Sequence, residues 1–250
     1  MFFCKSCVVA LFALAASPAA GPPASDDHSL TAAEYVQHGA PALDHVWTEQ
    51  DYATAAQALG QIPAEQLPRT DSAASGAVMD RLVDFSQFIS CSAQAGALQP
   101  RLAGCLQDMT AVNRLFGVYL PISQNDPGRA EDLFRLSALI IQVESRLGPL
   151  AAQFSATLDT TAPDYSARMA GLAQMQRGEA TTLRGVVMMM HSSGVPERAR
   201  QHLAETLAAE EASLVSFLTA EDRAAFETEL RDLADNDANP QVRTILAPYR

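Results

Sequence analysis

Three groups of residues have the types and spacing to do chemistry. Met188-Met189-Met190-His191 sets three thioethers beside an imidazole, soft donors that suit Cu(I). Glu144 and Glu179 fall near the apolar stripes of two long helical segments. Two carboxyls brought together inside a fold push their pKa values apart and form an acid–base pair of the kind a hydrolase uses. Cys91 and Cys105 are an even pair, joined as a disulfide or working as a redox couple.

Each group has a plainer reading. Successive helical residues point in different directions, so at most two of the three methionines share a face with His191 or with Met169. Flexible core filling at a helix end explains the same string. No metal is assigned, and Met189, Met190 and His191 stand as the candidate ligands. Buried acids usually have partners, and Arg146 and Arg184 lie at the edges of the two stripes. Glu144 and Glu179 are therefore expected to pair with arginine, and no catalytic residue is assigned. Cys91 and Cys105 lack C-x-x-C spacing and a basic neighbour to lower a thiol pKa. A structural disulfide is expected, closing a loop of about 15 residues worth about 3 kcal/mol.

Weaker signals surround these. Glu34 and His38, and His202 with Glu205, read as surface pairs. Asp235-Asn236-Asp237-Ala238-Asn239 opens like a calcium loop, but Pro240 and Leu246 occupy the positions that need Gly and Glu. The segment reads as a capping turn. The chain carries no H-E-x-x-H, G-x-S-x-G, P-loop, dinucleotide or haem motif. No cofactor is implied. A di-iron bundle needs two Glu-x-x-His motifs, and there are none.

The start of the chain decides how the cysteines are read. Lys5 precedes an apolar stretch over residues 8–16, then Ser17-Pro18-Ala19-Ala20 and the helix-stopping Gly21-Pro22-Pro23. Residues 1–20 read as a secretory signal cut after Ala19 or Ala20, with an uncleaved N-terminal anchor as the rival. Cys4-Lys5-Ser6-Cys7 matches C-x-x-C but leaves with that signal. Export to the periplasm or beyond the cell favours a disulfide. No later segment is apolar for the roughly 20 residues a membrane span needs. Lys5 is the only lysine, beside sixteen arginines, so lysine-based chemistry is excluded from the mature chain. Arginine without lysine fits a GC-rich bacterial genome.

Composition narrows the rest. Of 250 residues 48% are hydrophobic and 18% charged, with a net charge of −12. The chain is too apolar for a disordered protein and too acidic for a nucleic-acid binder. Strand signals and hairpin turns are absent, whereas helical spacing recurs. Ser29 or Thr31 can cap a short helix to about Gln37, and Thr48 and Thr219 each precede an acid by three residues in capping-box fashion. The predicted fold is all-α: an antiparallel bundle of about eight helices, with one hairpin tied by the disulfide. Residues 21–28 read as a disordered mature N-terminus, 29–70 as a helical extension packed on the core, and 71–250 as the bundle. One helix is expected from Asp71 to about Ser90, one from Pro100 to Pro121, and a central one from Asn125 or Asp126 through Phe154. Two more are expected from Asp164 to His191 and from Pro196 through Leu218, and Asp235 to Pro240 precedes a short tail. The functional expectation is an exported, non-catalytic protein that binds a partner protein or an apolar ligand. The alternatives are copper handling through residues 188–191 and a hydrolase built on Glu144 and Glu179.

Overall fold

The computed structural model describes residues 28–92, 96–192 and 195–250. Residues 1–20 expected as a signal, with Cys4 and Cys7, residues 21–27 of the stretch expected to be a disordered N-terminus, and the 193–194 part of the Ser192-Ser193-Gly194 break lie outside them. Every regular element among the described residues is helical, and none of the helices is long and apolar enough to cross a membrane. In chain order these are α1 (Ala32–Gln37), α2 (Glu49–Leu59), α3 (Gly76–Leu82), α4 (Ile89–Ser92), α5 (Leu98–Asn125), α6 (Ala130–Ala156), α7 (Tyr165–Met190), α8 (Glu197–Leu214), α9 (Ala220–Asn236) and α10 (Pro240–Ile245), with short 3-10 turns between. The all-α bundle read from the sequence is present.

Capping starts the helices where the sequence places them. Thr31 with Glu34 and Thr48 with Asp51 form complete capping boxes. Thr219 accepts from Asp222 N at 3.0 Å. Asp126 accepts from Gly128 N at 2.9 Å and opens a 3-10 turn that feeds α6. Each bond satisfies a backbone donor that the first turn leaves orphaned.

The helix α6 is the axis of the bundle. Its buried residues run from Asp132 through Ala151 and cover more than one face, as expected of a helix surrounded by others. Helices α5, α7 and α8 pack around it. Contact pairs give the directions. Ser123 meets Arg129, and Cys105 meets Val143, so α5 and α6 run antiparallel. Ser137 meets Met189 while Gly148 meets Glu179, so α6 and α7 do too. Arg146 reaches Glu210 and Gly148 faces Ser213, which sets α8 parallel to α6.

Four boundaries differ from the sequence reading, the simplest being the helix expected through Leu218, which ends at Leu214. The single helix expected from Asp71 to about Ser90 is broken into α3, a 3-10 turn and α4, because Asp84 turns its side chain onto Ser86 N at 3.0 Å and caps a new start. The helix expected to stop at Pro121 continues to Asn125. Pro121 has no N–H to give, but the turn beyond it is anchored: buried Ser123 Oγ lies 3.1 Å from Tyr119 O and 3.2 Å from Arg129 O. Tertiary packing offsets the helix-breaking cost. The tail after Asp237 is the helix α10, capped by Asn239 Oδ1 on Gln241 N at 2.8 Å.

The stretch ahead of α3 is fastened to the bundle by polar groups. Trp47 N donates to Gln87 Oε1 at 2.9 Å, and its ring meets Tyr52 edge-on. Arg129, buried at the head of α6, donates to the carbonyls of Leu67, Pro68 and Ala64. Asp132 accepts from Thr70 N at 2.7 Å.

Candidate functional site

The two acids singled out in the sequence come together. Glu144 projects from α6 and Glu179 from α7, and both are more than nine-tenths buried, at 5% and 6% exposure. Loss of water pushes both carboxyls up, Glu179 to about 8; for Glu144 the nearby Glu179 charge adds to that rise. Glu144 Oε2 and Glu179 Oε1 have no hydrogen-bond partner. Gly148 allows the close approach: a Cβ there would stand 3.1 Å from Glu179 Oε1 and 3.3 Å from Phe217 Cβ.

The expected arginine partners are elsewhere, which corrects the sequence reading. Arg146 reaches Glu210 at 3.3 Å and lies over the Phe85 ring at 5.8 Å. Arg184 faces Glu229 at 3.9 Å. Both guanidiniums are long enough to leave the stripe edge and remain partly hydrated, which costs less than burial beside the acids. The acid pair is left to neutralise itself with protons.

The methionine string divides as helical geometry requires. Met190 is fully buried, and Met189 is buried with its Sδ accepting from Ser137 Oγ at 3.8 Å. Met188 points outward at 48% exposure, and His191 stands 3.8 Å from Asp232 on the surface. The two buried thioethers face the core rather than the imidazole. Among the described residues, no group of three or more His, Cys, Asp or Glu side chains is arranged to hold a metal ion.

Cys91 and Cys105 are joined, with S–S 2.06 Å, and tie α4 to α5. Beside them sits a third buried acid that sequence reading missed. Asp108 accepts from Cys91 N at 3.3 Å. Burial, with the Glu49 charge nearby, pushes its carboxyl up to about 7 against that one hydrogen bond. A signal existed: Asp108 lies three residues after Cys105 and four before Val112, on the inward stripe of α5. The calcium-like segment is a structural corner, with Asp237 buried against Arg200 and Asn239 capping α10.

One cleft opens at an end of the bundle, where α5 begins, α6 ends and α7 begins. Its volume is about 310 Å³. Leu98, Phe154, Leu158 and Ala162 supply apolar walls, and Gln99, Thr157, Asp159 and Arg168 supply the polar ones. Arg168 is held by Asp164 at 2.7 Å. Apolar and polar walls are equal in number, a more polar lining than most small-ligand sites have. The acids Glu144 and Glu179 are not among its walls. Sequence reading missed this cleft because it is formed by the ends of three helices and the 157–163 linker. No protein-family model, curated protein or solved structure matches the chain.

Proposed function

We propose that the chain is an exported bacterial protein that binds a small, largely apolar ligand and does no catalysis. The observation that carries this reading is the end cleft, with Phe154 and Leu158 for an apolar body and Gln99 and Arg168 for a polar end. The Cys91–Cys105 disulfide supports export, since such bonds persist in oxidising compartments. The N-terminal signal pattern supports the same destination, periplasmic or secreted. A hydrolase built on Glu144 and Glu179 has less support, because both acids are shut into the helix interior. Copper handling has less support because Met189 and Met190 are used in packing.

Native mass spectrometry of the exported protein, purified without chelators, tests the reading. The wild-type chain should carry a bound organic mass that organic extraction removes. Leu158→Arg, which puts a charge into the cleft, should carry none while keeping its helical content. A wild-type spectrum with no added mass, or the same added mass in both proteins, sinks the cleft reading.

A further inference from the structure

We infer that Glu144 and Glu179 are a proton-operated latch: while they hold protons they keep α7 against α6, and when they lose them the first half of α7 comes away. Four observations carry this. Both carboxyls are buried on facing helices and each has an oxygen without a partner. Glu179 Oε1 lies against Gly148 of α6, 3.1 Å from where a Cβ there would stand, so an ionised carboxylate faces the packed helix and not water. Among the described residues no cation acts on either carboxyl from the surrounding elements. Arg146 of α6 is taken by Glu210 of α8, Arg184 of α7 by Glu229 of α9, and Glu211 of α8 lies near Arg223 and Glu227 of α9. From α5, Asp108 faces Cys91 and Glu49 instead.

The fourth observation says what moves. The part of α7 before Glu179 contributes one buried residue, Leu172, beside the half-buried Met169 and Met175 and a hydrogen bond from Gln176 to Phe217 O, whereas the part after it contributes six buried residues from Leu183 to Met190. Glu179 therefore sits at the boundary between a lightly held half and an anchored half. Neutral, the pair is a tolerable buried polar contact. Ionised, it places two like charges in a low-dielectric interior, where both desolvation and their mutual repulsion oppose the charged form. Local opening of the weakly packed half relieves that cost without global unfolding. Arg168, a wall of the end cleft, lies on this half. If the cleft binds as proposed above, rising pH would also loosen its wall, and that corollary rests on the cleft reading.

Hydrogen–deuterium exchange of the ligand-free mature chain tests the latch separately from any ligand. After correction for intrinsic exchange, amides before Glu179 in α7 should lose protection as pH rises from about 6 to 9, by roughly tenfold per pH unit for each proton released. Amides of α8 should not follow. Glu144→Gln/Glu179→Gln should abolish the change, and Glu179→Gln alone should shrink it if the double variant folds poorly. Equal protection across the range, or the same pH response in the glutamine variants, overturns the latch. So does recovery of protection at about pH 9 on adding Ca²⁺, Mn²⁺ or Zn²⁺ to wild type but not to the variants, which makes the pair a metal site.

Discussion

Arg129 and Asp132 form a buried pair at the head of α6, with Nη1 and Oδ2 3.5 Å apart and side-chain exposures of 2% and 3%. The pair does its bonding outward. Arg129 takes carbonyls at positions 64, 67 and 68, and Asp132 takes Thr70 N. It thus replaces water for the backbone of a connector whose one short 3-10 turn, Ala64–Gln66, leaves most of its polar groups to outside partners. Arg129→Met takes the guanidinium away from three carbonyls, of which Pro68 O keeps the Tyr119 hydroxyl and Ala64 O keeps Leu67 N, and leaves the buried Asp132 charge without its cation, and should cost about 3–5 kcal/mol. Arg129→Met with Asp132→Leu should cost less than the single change, because no lone buried charge remains. Urea unfolding of both variants measures this, and a double variant worse than the single one contradicts it.

Acidity should stabilise the fold. Burial raises the Glu144 carboxyl well above its ordinary range, and it raises Glu179 to about 8 and Asp108 to about 7, whereas in the unfolded chain such acids titrate near about 4. Folded and protonated but unfolded and ionised, they contribute stability that is whole below the unfolded pKa. It is lost as pH rises through the folded values. The capping carboxylates Asp51 and Asp84 act oppositely. Despite some desolvation, hydrogen bonds lower them, so their contribution fades only below about pH 4. Between these limits the melting temperature should fall from about pH 5 to 8, and Asp108→Asn should remove part of that fall. A melting temperature that climbs across this window would contradict the burial of these acids.

What could be read from the sequence was what local chemistry decides. Thr31, Thr48 and Asp126 announce helix starts because a capping side chain and its backbone donor are neighbours in sequence. The apolar spacing of Leu133, Leu136, Ile140 and Val143 announces the central helix, and it puts Glu144 next to that stripe. What was hidden depends on distant segments. Arginine pairing looked natural for Glu144 and Glu179, yet Glu210 and Glu229, on helices whose placement no local pattern gives, take Arg146 and Arg184. Pro121 looked like a stop because the anchoring of Ser123 on residue 129 is a tertiary contact.

The disulfide hairpin has a second tie besides sulfur. Ser90 donates to Glu49 Oε1 at 2.9 Å, holding α4 against α2, and its Cβ sits where a Cβ on Gly104 would come within 2.6 Å. Gly104→Ala must push α4 off α5, and overpacking of this kind costs about 1–3 kcal/mol. Replacing both Cys91 and Cys105 with serine should cost about 3 kcal/mol through the freed loop. Thermal unfolding of each protein under oxidising and reducing conditions separates the two effects. Gly104→Ala should remain sensitive to reductant, whereas the serine pair should not.

The methionine string offers a comparison of packing against ligation within three residues. Met190 is fully buried, whereas its neighbour Met188 is 48% exposed. If the string serves as core filling, Met190→Ala should lose about 2–5 kcal/mol through the cavity left behind. Met188→Ala should stay within about 0.5 kcal/mol of wild type. Chemical denaturation under anaerobic conditions with and without Cu(I) measures both. A ligand role makes the opposite pattern: copper would stabilise wild type, and losing the exposed Met188 or His191 would remove that gain. The packing account requires that copper shift neither wild type nor Met188→Ala, because Met189 and Met190 cannot turn toward His191 without emptying the core they fill.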